Sequence, residues 1–192
     1  MNVFTNGEIK SIDDASLGLS NRGYNYGDGL FETLRVINSK IMFWEAHYFR
    51  LMSSMRILRM TIPMEFSPEY LEEKILELIK TNDLENASVR VQINIHRNAG
   101  GYYTPEDNSI GYVISTKTLD TAFFTLNEGS YEVELFKDHY ILSGMLSTIK
   151  SNNKLVNILA GIYAKENDFD NCFLINEKKS VLEVTNGNIF ML

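Results

Sequence analysis

The sequence contains one cysteine, three prolines and no long apolar run among its 192 residues. A lone cysteine, Cys172, excludes a framework of internal disulfides and is typical of a reducing cytoplasm. No window approaches the length of about 20 apolar residues that a membrane-spanning helix needs. The N-terminus also lacks the basic flank and apolar core of a signal peptide. We therefore expect a cytoplasmic protein with no membrane partner.

Positive charge is also scarce. The chain has 18 lysines and arginines against 25 aspartates and glutamates, which gives a formal net charge of −7. Nucleic acid is not expected as a partner, because phosphate backbones favour basic surfaces. The three histidines are scattered and show no metal-ligand spacing with one another or with the cysteine. No metal site is predicted.

Apolar residues and regular patterns are present in good supply. Hydrophobic residues make up 44% of the chain, which is enough for a substantial core in one large or two small domains. Alternating and helical periodicities together predict an α+β protein. The predicted strands are 3–5, 8–10, 31–37, 40–43, 89–95, 110–115, 131–136, 172–175 and 181–184, and the predicted helices are 45–59, one starting at 67, and 153–165.

The pattern loosens between residues 117 and 128, which indicates a linker. We therefore divide the chain into residues 1–118 and 119–192. In the second part, the predicted helix has its apolar face formed by Leu155, Ile158, Leu159 and Ile162. The chain stops within an apolar segment, 188–192, that has the pattern of a further strand.

The stretch 21–33 reads NRGYNYGDGLFET. Three glycines and an aspartate within seven positions are expected to break any regular element, while aromatic residues crowd between them. Composition alone predicts a glycine-rich turn that leads into a strand. Ordered, aromatic-rich loops often carry sites, however.

Together with the His47-Tyr48-Phe49-Arg50-Leu51 segment, this stretch resembles the class IV aminotransferase family. Its members are pyridoxal 5'-phosphate enzymes of fold type IV and include branched-chain aminotransferases, D-amino acid aminotransferases and 4-amino-4-deoxychorismate lyases. The resemblance spans nearly the whole chain and implies a two-domain fold. Because family members continue well beyond this length, we expect a second domain that is incomplete here and a truncated chain. A naturally short variant is the alternative.

A pyridoxal phosphate enzyme needs a lysine for the Schiff base, and residue chemistry alone does not choose one. The segment Lys150-Ser151-Asn152-Asn153 resembles the family's lysine motif, in which an asparagine follows three residues later at the head of a helix. The resemblance implies that Lys150 forms the Schiff base and moves the proton between Cα and C4′. Lys154 is the rival by proximity, although a solvated lysine is ordinary in a first helical turn.

The segment around Glu183 resembles the family's second signature, Glu-x-Thr-x-Gly-Asn-Ile-Phe. The resemblance implies that Glu183 pairs with the pyridine nitrogen of the cofactor. It also implies that Thr185, Asn186 and Gly187 help to bind the phosphate through hydroxyl and backbone N–H groups. Without the resemblance, Glu183 is equally compatible with an outward-facing residue on an edge strand.

Arg50 matches the arginine of the family's His-x-x-Arg-Leu motif, which implies a contact with the cofactor phosphate. A planar guanidinium fork suits phosphate oxygens. Taken alone, an arginine opposite the apolar stripe of a helix is more often a solvated or salt-bridged surface group.

The substrate side rests on four residues. Tyr26, Phe31 and Arg35 lie where family members line the substrate pocket, often across a dimer interface, so a homodimer is implied. Arg97 lies where several relatives place a carboxylate-binding arginine, and an exposed loop arginine is the alternative.

These resemblances predict an aminotransferase that exchanges an amino group between an amino acid and a 2-oxo acid. The second hypothesis is a 4-amino-4-deoxychorismate lyase, which releases 4-aminobenzoate and pyruvate for folate synthesis. The third is a non-catalytic fragment. Glu32-Thr33 follows the D-aminotransferase and lyase style, and Lys154-Leu155 lacks the asparagine-tyrosine pair of branched-chain enzymes. Both departures argue against a branched-chain substrate.

Overall fold

The computed structural model describes residues 1–98, 100–121, 123–126 and 128–191. The chain forms two compact units. The first contains Met1–Thr125 together with Ile149–Asn152, and the second contains Leu126–Thr148 together with Asn153–Leu192. A single cut between residues 118 and 119 does not describe the return of the short segment Ile149–Asn152 to the first unit.

The first unit is built on a six-stranded antiparallel sheet. Its strands are β1 (Asn2–Thr5), β2 (Glu8–Ser11), β3 (Gly29–Ile37), β4 (Lys40–Ile41), β5 (Ser88–Arg97) and β6 (Ile110–Thr118), in the order β2-β1-β6-β5-β3-β4. Its helices are α1 (Arg22–Tyr26), α2 (Trp44–Ile57) and α3 (Pro68–Thr81). The α+β prediction and most of its element bounds hold here to within two or three residues.

The core of the first unit lies on one face of this sheet. Strand β5 alternates as its sequence predicts, and its apolar side chains Val89, Val91, Ile93 and Ile95 are fully buried. Helices α2 and α3 cover this face with the buried residues Leu51, Met52, Met55, Leu71, Ile75, Leu78 and Ile79. Burial of this much apolar surface is the main driving force for folding the unit.

The second unit is a three-stranded sheet with one helix. Strand β7 (Val133–Leu135) pairs in parallel with β8 (Asn171–Ile175), and β9 (Val181–Val184) pairs antiparallel with β8 on its other side. A 3₁₀ turn at Met145–Thr148 and helix α4 (Leu155–Glu166) lie between β7 and β8. The core consists of Phe136, Ala160, Ala164, Cys172 and Leu174.

Helix α1 corrects the expectation that the glycines would break any regular element. Asn21 caps its first turn by accepting a hydrogen bond from the backbone N–H of Tyr24. Gly27 ends it in the left-handed region at φ 64°. Two strong caps allow a five-residue helix where the glycine content alone argues for a loop.

The apolar face predicted for α4 is present, but it is not the face that packs against the sheet. Leu155, Ile158, Leu159 and Ile162 are 43–74% exposed. The helix packs through Ala160 and Ala164, whose small side chains let its backbone approach the sheet. The further strand predicted at 188–192 is wrong for residues 188–191, which form no regular element; Leu192 lies outside the described residues.

Candidate active site

Backbone hydrogen bonds attach the segment that carries Lys150 to the start of β3. The N–H of Phe31 donates to the carbonyl of Lys150 over 2.9 Å, and the N–H of Asn152 donates to the carbonyl of Gly29 over 3.0 Å. Leu30 and Ser151 form an antiparallel bridge between these bonds. The Nζ of Lys150 lies 5.0 Å from the centre of the Phe31 ring. Strand β3 therefore fixes the position of this lysine.

Gly29 explains why this attachment can be so close. A Cβ atom placed on Gly29 would lie 2.6 Å from the side-chain Nδ2 of Asn152 and 2.8 Å from the backbone carbonyl oxygen of Ile95. Both distances are shorter than any real carbon contact, so only glycine fits between β5 and the Lys150 segment. The third glycine of the sequence stretch 21–33 thus serves the approach of the lysine.

Arg50 forms an ion pair with Glu32, a residue that the sequence analysis did not single out as a site residue. The Nε of Arg50 donates to Oε1 of Glu32 over 2.5 Å, and Nη2 donates to Oε2 over 2.6 Å. Nδ1 of His47 lies 2.9 Å from the same Oε2. The Glu32 side chain is 1% exposed, whereas that of Arg50 is 48% exposed. Arg50 thus pairs with a buried carboxylate, lies 3.2 Å through Nη2 from Nδ1 of His47, and remains half-exposed.

The charge on Glu32 is stable in this setting. Burial by itself raises the pKa of the Glu32 carboxyl, but the hydrogen bonds from Arg50 and His47 outweigh burial, and the pKa falls below its usual value of 4.5. The carboxylate is therefore ionised at neutral pH. Because an ionised carboxylate only accepts hydrogen bonds, Nδ1 of His47 carries the proton in the bond to Glu32.

Glu183 lies on β9 in the second unit and is held by helix α4. The side-chain amide of Asn157 donates to its Oε1 over 2.8 Å. The Nζ of Lys154, the N-cap residue of the helix, is 3.8 Å from the same oxygen. Lys154 therefore lies beside the Glu183 carboxylate in the second unit, whereas Lys150 belongs to the first unit.

The residues after Glu183 are organised by the buried Asn171. Its Oδ1 accepts hydrogen bonds from the backbone N–H and the hydroxyl of Thr185, and its amide donates to Oδ1 of Asn186. Gly187 follows with φ at 148°, in a region that favours glycine. The Thr185 hydroxyl thus donates its hydrogen bond to Asn171 in this structure. This differs from the predicted contact of the hydroxyl with the cofactor phosphate. The cofactor role of these three residues stays a prediction.

Two of the substrate-side residues lie on β3. Phe31 contacts the lysine, as described, and Arg35 donates to the hydroxyl of Ser88 and to the carbonyl oxygens of Thr121 and Phe123. Tyr26, on α1, is 39% exposed and packs its ring 5.8 Å from that of Tyr103. Arg35 thus holds the segment that follows β6, and its substrate contact remains a prediction.

Arg97 is buried in a second network of charges. Its Nε and that of Arg22 both donate to one oxygen of Asp28, each over 2.9 Å. The rest of the Arg97 guanidinium donates to the carbonyls of Leu58 and Arg59 and to Asn108. The alternative of an exposed loop arginine is wrong, since Arg97 is only 6% exposed. These bonds give it a structural task, and its predicted carboxylate contact stays untested.

Arg22 uses the same aspartate to fasten a glycine-containing loop. Its Nη1 donates to the carbonyls of Gly100, Gly101 and Tyr102. A single carboxylate therefore balances two buried guanidinium groups, and the carbonyl oxygens supply the remaining acceptors. This network places α1 against the loop that follows β5.

Two of the predicted residues, Lys150 and Arg50, each contact a side chain of β3. Lys150 is fixed against Phe31 and Arg50 against Glu32, and these successive residues of β3 point to opposite faces. Glu183, Thr185, Asn186 and Gly187 belong to the second unit. One signal for Glu32 was present in the sequence, because it is the single charged residue among the apolar side chains Leu30, Leu34 and Val36 that share its face.

Neither a metal centre nor a membrane span is found in the described part of the chain. Residues 1–98, 100–121, 123–126 and 128–191 include no group of three His, Cys, Asp or Glu side chains placed to hold a metal ion. Within the same ranges, every helix is too short or too polar to cross a bilayer.

Comparison with known proteins decides the family. A family model described as amino-transferase class IV matches residues 29–192. The chain belongs to the class IV aminotransferase family. The match begins at Gly29, where the Lys150 segment approaches β3, and it contains every residue predicted to bind the cofactor. The family resemblance read from the sequence is therefore confirmed.

Relatives within this family carry different activities in their names. The D-alanine aminotransferase of Staphylococcus aureus is 30% identical over 164 residues, which are 84% of this chain and 56% of that protein. The aminodeoxychorismate lyase of Vibrio harveyi is 23% identical over 184 residues, 95% of this chain and 65% of that protein. This class IV chain thus spans about 56–65% of the length of these relatives.

Solved structures establish the fold. The T.th. branched-chain amino acid aminotransferase with pyridoxamine 5'-phosphate has a TM-score of 0.83 at 21% identity, covering 96% of this chain and 62% of that one. The branched-chain aminotransferase of Thermoproteus uzoniensis with norvaline has a TM-score of 0.80 at 18% identity, with coverages of 96% and 63%. The fold type IV prediction is confirmed.

Proposed function

We propose that this class IV chain is a pyridoxal 5'-phosphate aminotransferase that exchanges an amino group between an amino acid and a 2-oxo acid. The observation that carries the proposal is the attachment of Lys150 to β3 by two backbone hydrogen bonds. A catalytic amine must be held in one place while substrates change. Backbone attachment does this without using the side chain.

The donor chemistry of the chain fits the cofactor. Lys150 offers an amine, Glu183 a carboxylate with one oxygen already held by Asn157, and Arg50 a half-exposed guanidinium. These match an aldehyde, a pyridine nitrogen and a phosphate. When bound, pyridoxal phosphate supplies the electron sink that stabilises negative charge at the Cα of an amino acid.

Each residue has one task in this proposal. Nζ of Lys150 would take the proton from Cα of the substrate and deliver it to C4′ of the cofactor. Glu183 keeps a positive charge on the pyridine nitrogen, since its ionised carboxylate favours the protonated form. Arg50 binds phosphate through Nη1, since Nε and Nη2 already donate to Glu32. Tyr26 and Phe31 border the space for the substrate side chain.

The experiment is a set of single half-reactions. The protein is loaded with pyridoxal phosphate and mixed with D-alanine, with L-leucine or with aminodeoxychorismate. We expect an amino acid to convert bound cofactor to pyridoxamine phosphate in stoichiometric amount and to release one equivalent of 2-oxo acid. Comparison of the D and L donors assigns the stereochemistry. Failure to bind the cofactor, or bound cofactor that no amino acid converts, would contradict the proposal.

Lyase activity is the second candidate, favoured by the similarity to the Vibrio harveyi aminodeoxychorismate lyase over 95% of this chain. The same lysine and carboxylate would serve it, because elimination also starts with charge at Cα. Release of 4-aminobenzoate and pyruvate from aminodeoxychorismate, with no accumulation of pyridoxamine phosphate, would select this function over transamination.

Glu183 allows a specific prediction. We expect Glu183→Gln to slow the half-reaction by about 10²-fold, since a neutral amide no longer favours a protonated ring. Cofactor binding should change far less, because Lys150 and Arg50 remain. The control is Glu177→Gln, a surface carboxylate of the same unit that accepts from Ser143. Equal rates for the wild type and Glu183→Gln would remove Glu183 from the mechanism.

A further inference from the structure

The bidentate ion pair fixes the direction of the Arg50 guanidinium. Nε and Nη2 form one edge of this planar group, and both donate to Glu32, over 2.5 and 2.6 Å. An arginine held at two points cannot rotate about the bond to its guanidinium. The plane and the orientation of the charge are therefore set by the carboxylate.

Glu32 is itself held firmly. It lies in β3 opposite Ile93 of β5, and its side chain is 1% exposed. Nδ1 of His47, one turn before Arg50 on α2, donates to the same Oε2 that accepts from Arg50. The carboxylate thus has a fixed place within the first unit.

The remaining edge of the guanidinium is available. In the part of the chain that the structure describes, Nη1 of Arg50 makes no hydrogen bond, and the side chain is 48% exposed. Nη1 lies away from the edge that Glu32 occupies. Its two N–H groups therefore keep a fixed direction while Glu32 holds the other edge.

We propose that Glu32 is a positioning residue for an anion site, in which it aims Nη1 of Arg50 at the phosphate of the cofactor. The inference rests on the proposed function, because it takes Arg50 as the phosphate contact. The proposal gives Glu32 a role in cofactor binding although Glu32 itself does not contact the cofactor. Orientation in advance saves the cost of fixing a flexible side chain when the ligand binds.

Charge and orientation make opposite predictions for the loss of Glu32. The negative carboxylate weakens the attraction between Arg50 and an anion, so its removal would tighten binding if charge dominated. If orientation dominates, removal frees the guanidinium and weakens binding. The partial exposure of Arg50 screens the charge effect and favours orientation.

The test is a double-mutant cycle with Glu32→Gln, Arg50→Ala and both changes together. The probes are pyridoxamine 5'-phosphate, which cannot link covalently to a lysine, and inorganic phosphate. Their dissociation constants are measured by titration calorimetry on the whole protein. We expect Glu32→Gln to raise both constants about tenfold in the wild-type background and to have no effect when Arg50 is alanine. Glu77→Gln, which removes one of the two exposed partners of Lys74, is the control and should change neither constant.

The outcomes separate the two proposals. If Arg50→Ala binds pyridoxamine phosphate as the wild type does, the phosphate role of Arg50 in the proposed function fails. If Arg50→Ala weakens binding but Glu32→Gln leaves it unchanged, tightens it, or acts equally in both backgrounds, only the positioning role fails.

A second variant keeps the test valid if Glu32→Gln does not fold. Arg50→Lys retains Glu32 and the positive charge but cannot form a two-point contact. We expect it to weaken phosphate binding to a similar extent, with unchanged circular dichroism. Binding by Arg50→Lys that equals that of the wild type would overturn the positioning role.

Discussion

Replacing Lys150 by alanine is expected to abolish the visible absorbance of lysine-linked pyridoxal phosphate and to reduce amino-group transfer by about 10⁴-fold or more. The reason is that one amine performs both the covalent attachment and the proton transfer. The fold should survive, because the segment is attached to β3 through the backbone N–H groups of Phe31 and Asn152, which the substitution leaves in place. Absorbance spectra and single-turnover rates give the measurement.

Lys154→Ala is the matched comparison for this prediction. Lys154 is four residues further along the chain and 3.8 Å from Glu183 in the second unit. We expect the variant to keep the absorbance of the lysine-linked cofactor. If Lys154→Ala lost this absorbance and Lys150→Ala kept it, Lys154 rather than Lys150 would be the catalytic lysine.

Replacing Asp28 by alanine is expected to cause the largest loss of stability. The carboxylate accepts from Nε of both Arg22 and Arg97, and the side chains of these arginines are only 4% and 7% exposed. Without it, two buried guanidinium groups lose their counter-ion. Removal of one partner from a buried pair costs about 3–5 kcal/mol of unfolding free energy. Urea unfolding followed by circular dichroism measures the change.

Two further variants sharpen this prediction. Asp28→Asn keeps an oxygen acceptor without the charge and should lose less stability than alanine. Glu77→Ala breaks an exposed ion pair with Lys74 and should hardly change the unfolding midpoint. If Asp28→Ala were as stable as Glu77→Ala, the two arginines would be balanced mainly by the backbone carbonyls of Leu58 and Gly100.

Helix α4 shows the limit of periodicity. Its sequence carries leucines and isoleucines at helical spacing, and this pattern predicts the helix itself nearly to its ends. Periodicity does not tell which side is covered, however. The helix buries Ala160 and Ala164, because small residues allow close packing, while Leu155 stays 74% exposed.

Glu32 and Asp28 show a different limit. Each is one of 25 acidic residues in the sequence, and its structural role depends on partners that are distant along the chain. Asp28 meets Arg97 across 69 positions, and Glu32 meets Arg50 across 18. Only folding of β3 against β5 and α2 brings these groups within hydrogen-bond distance. Local patterns contain no record of such pairings.

Consecutive residues were enough to predict most helices and strands and the resemblance to the family. Alternation in β5, the capped start of α3 at Ser67 and the spacing of the motifs around Arg50, Lys150 and Glu183 are all local, and local preference and motif spacing are encoded in consecutive residues. The pairing of buried charges, the covered face of α4 and the need for glycine at position 29 became visible only in the folded chain. Those features arise from contacts between segments that are distant along the chain, and these contacts stabilise the protein only after the chain has folded.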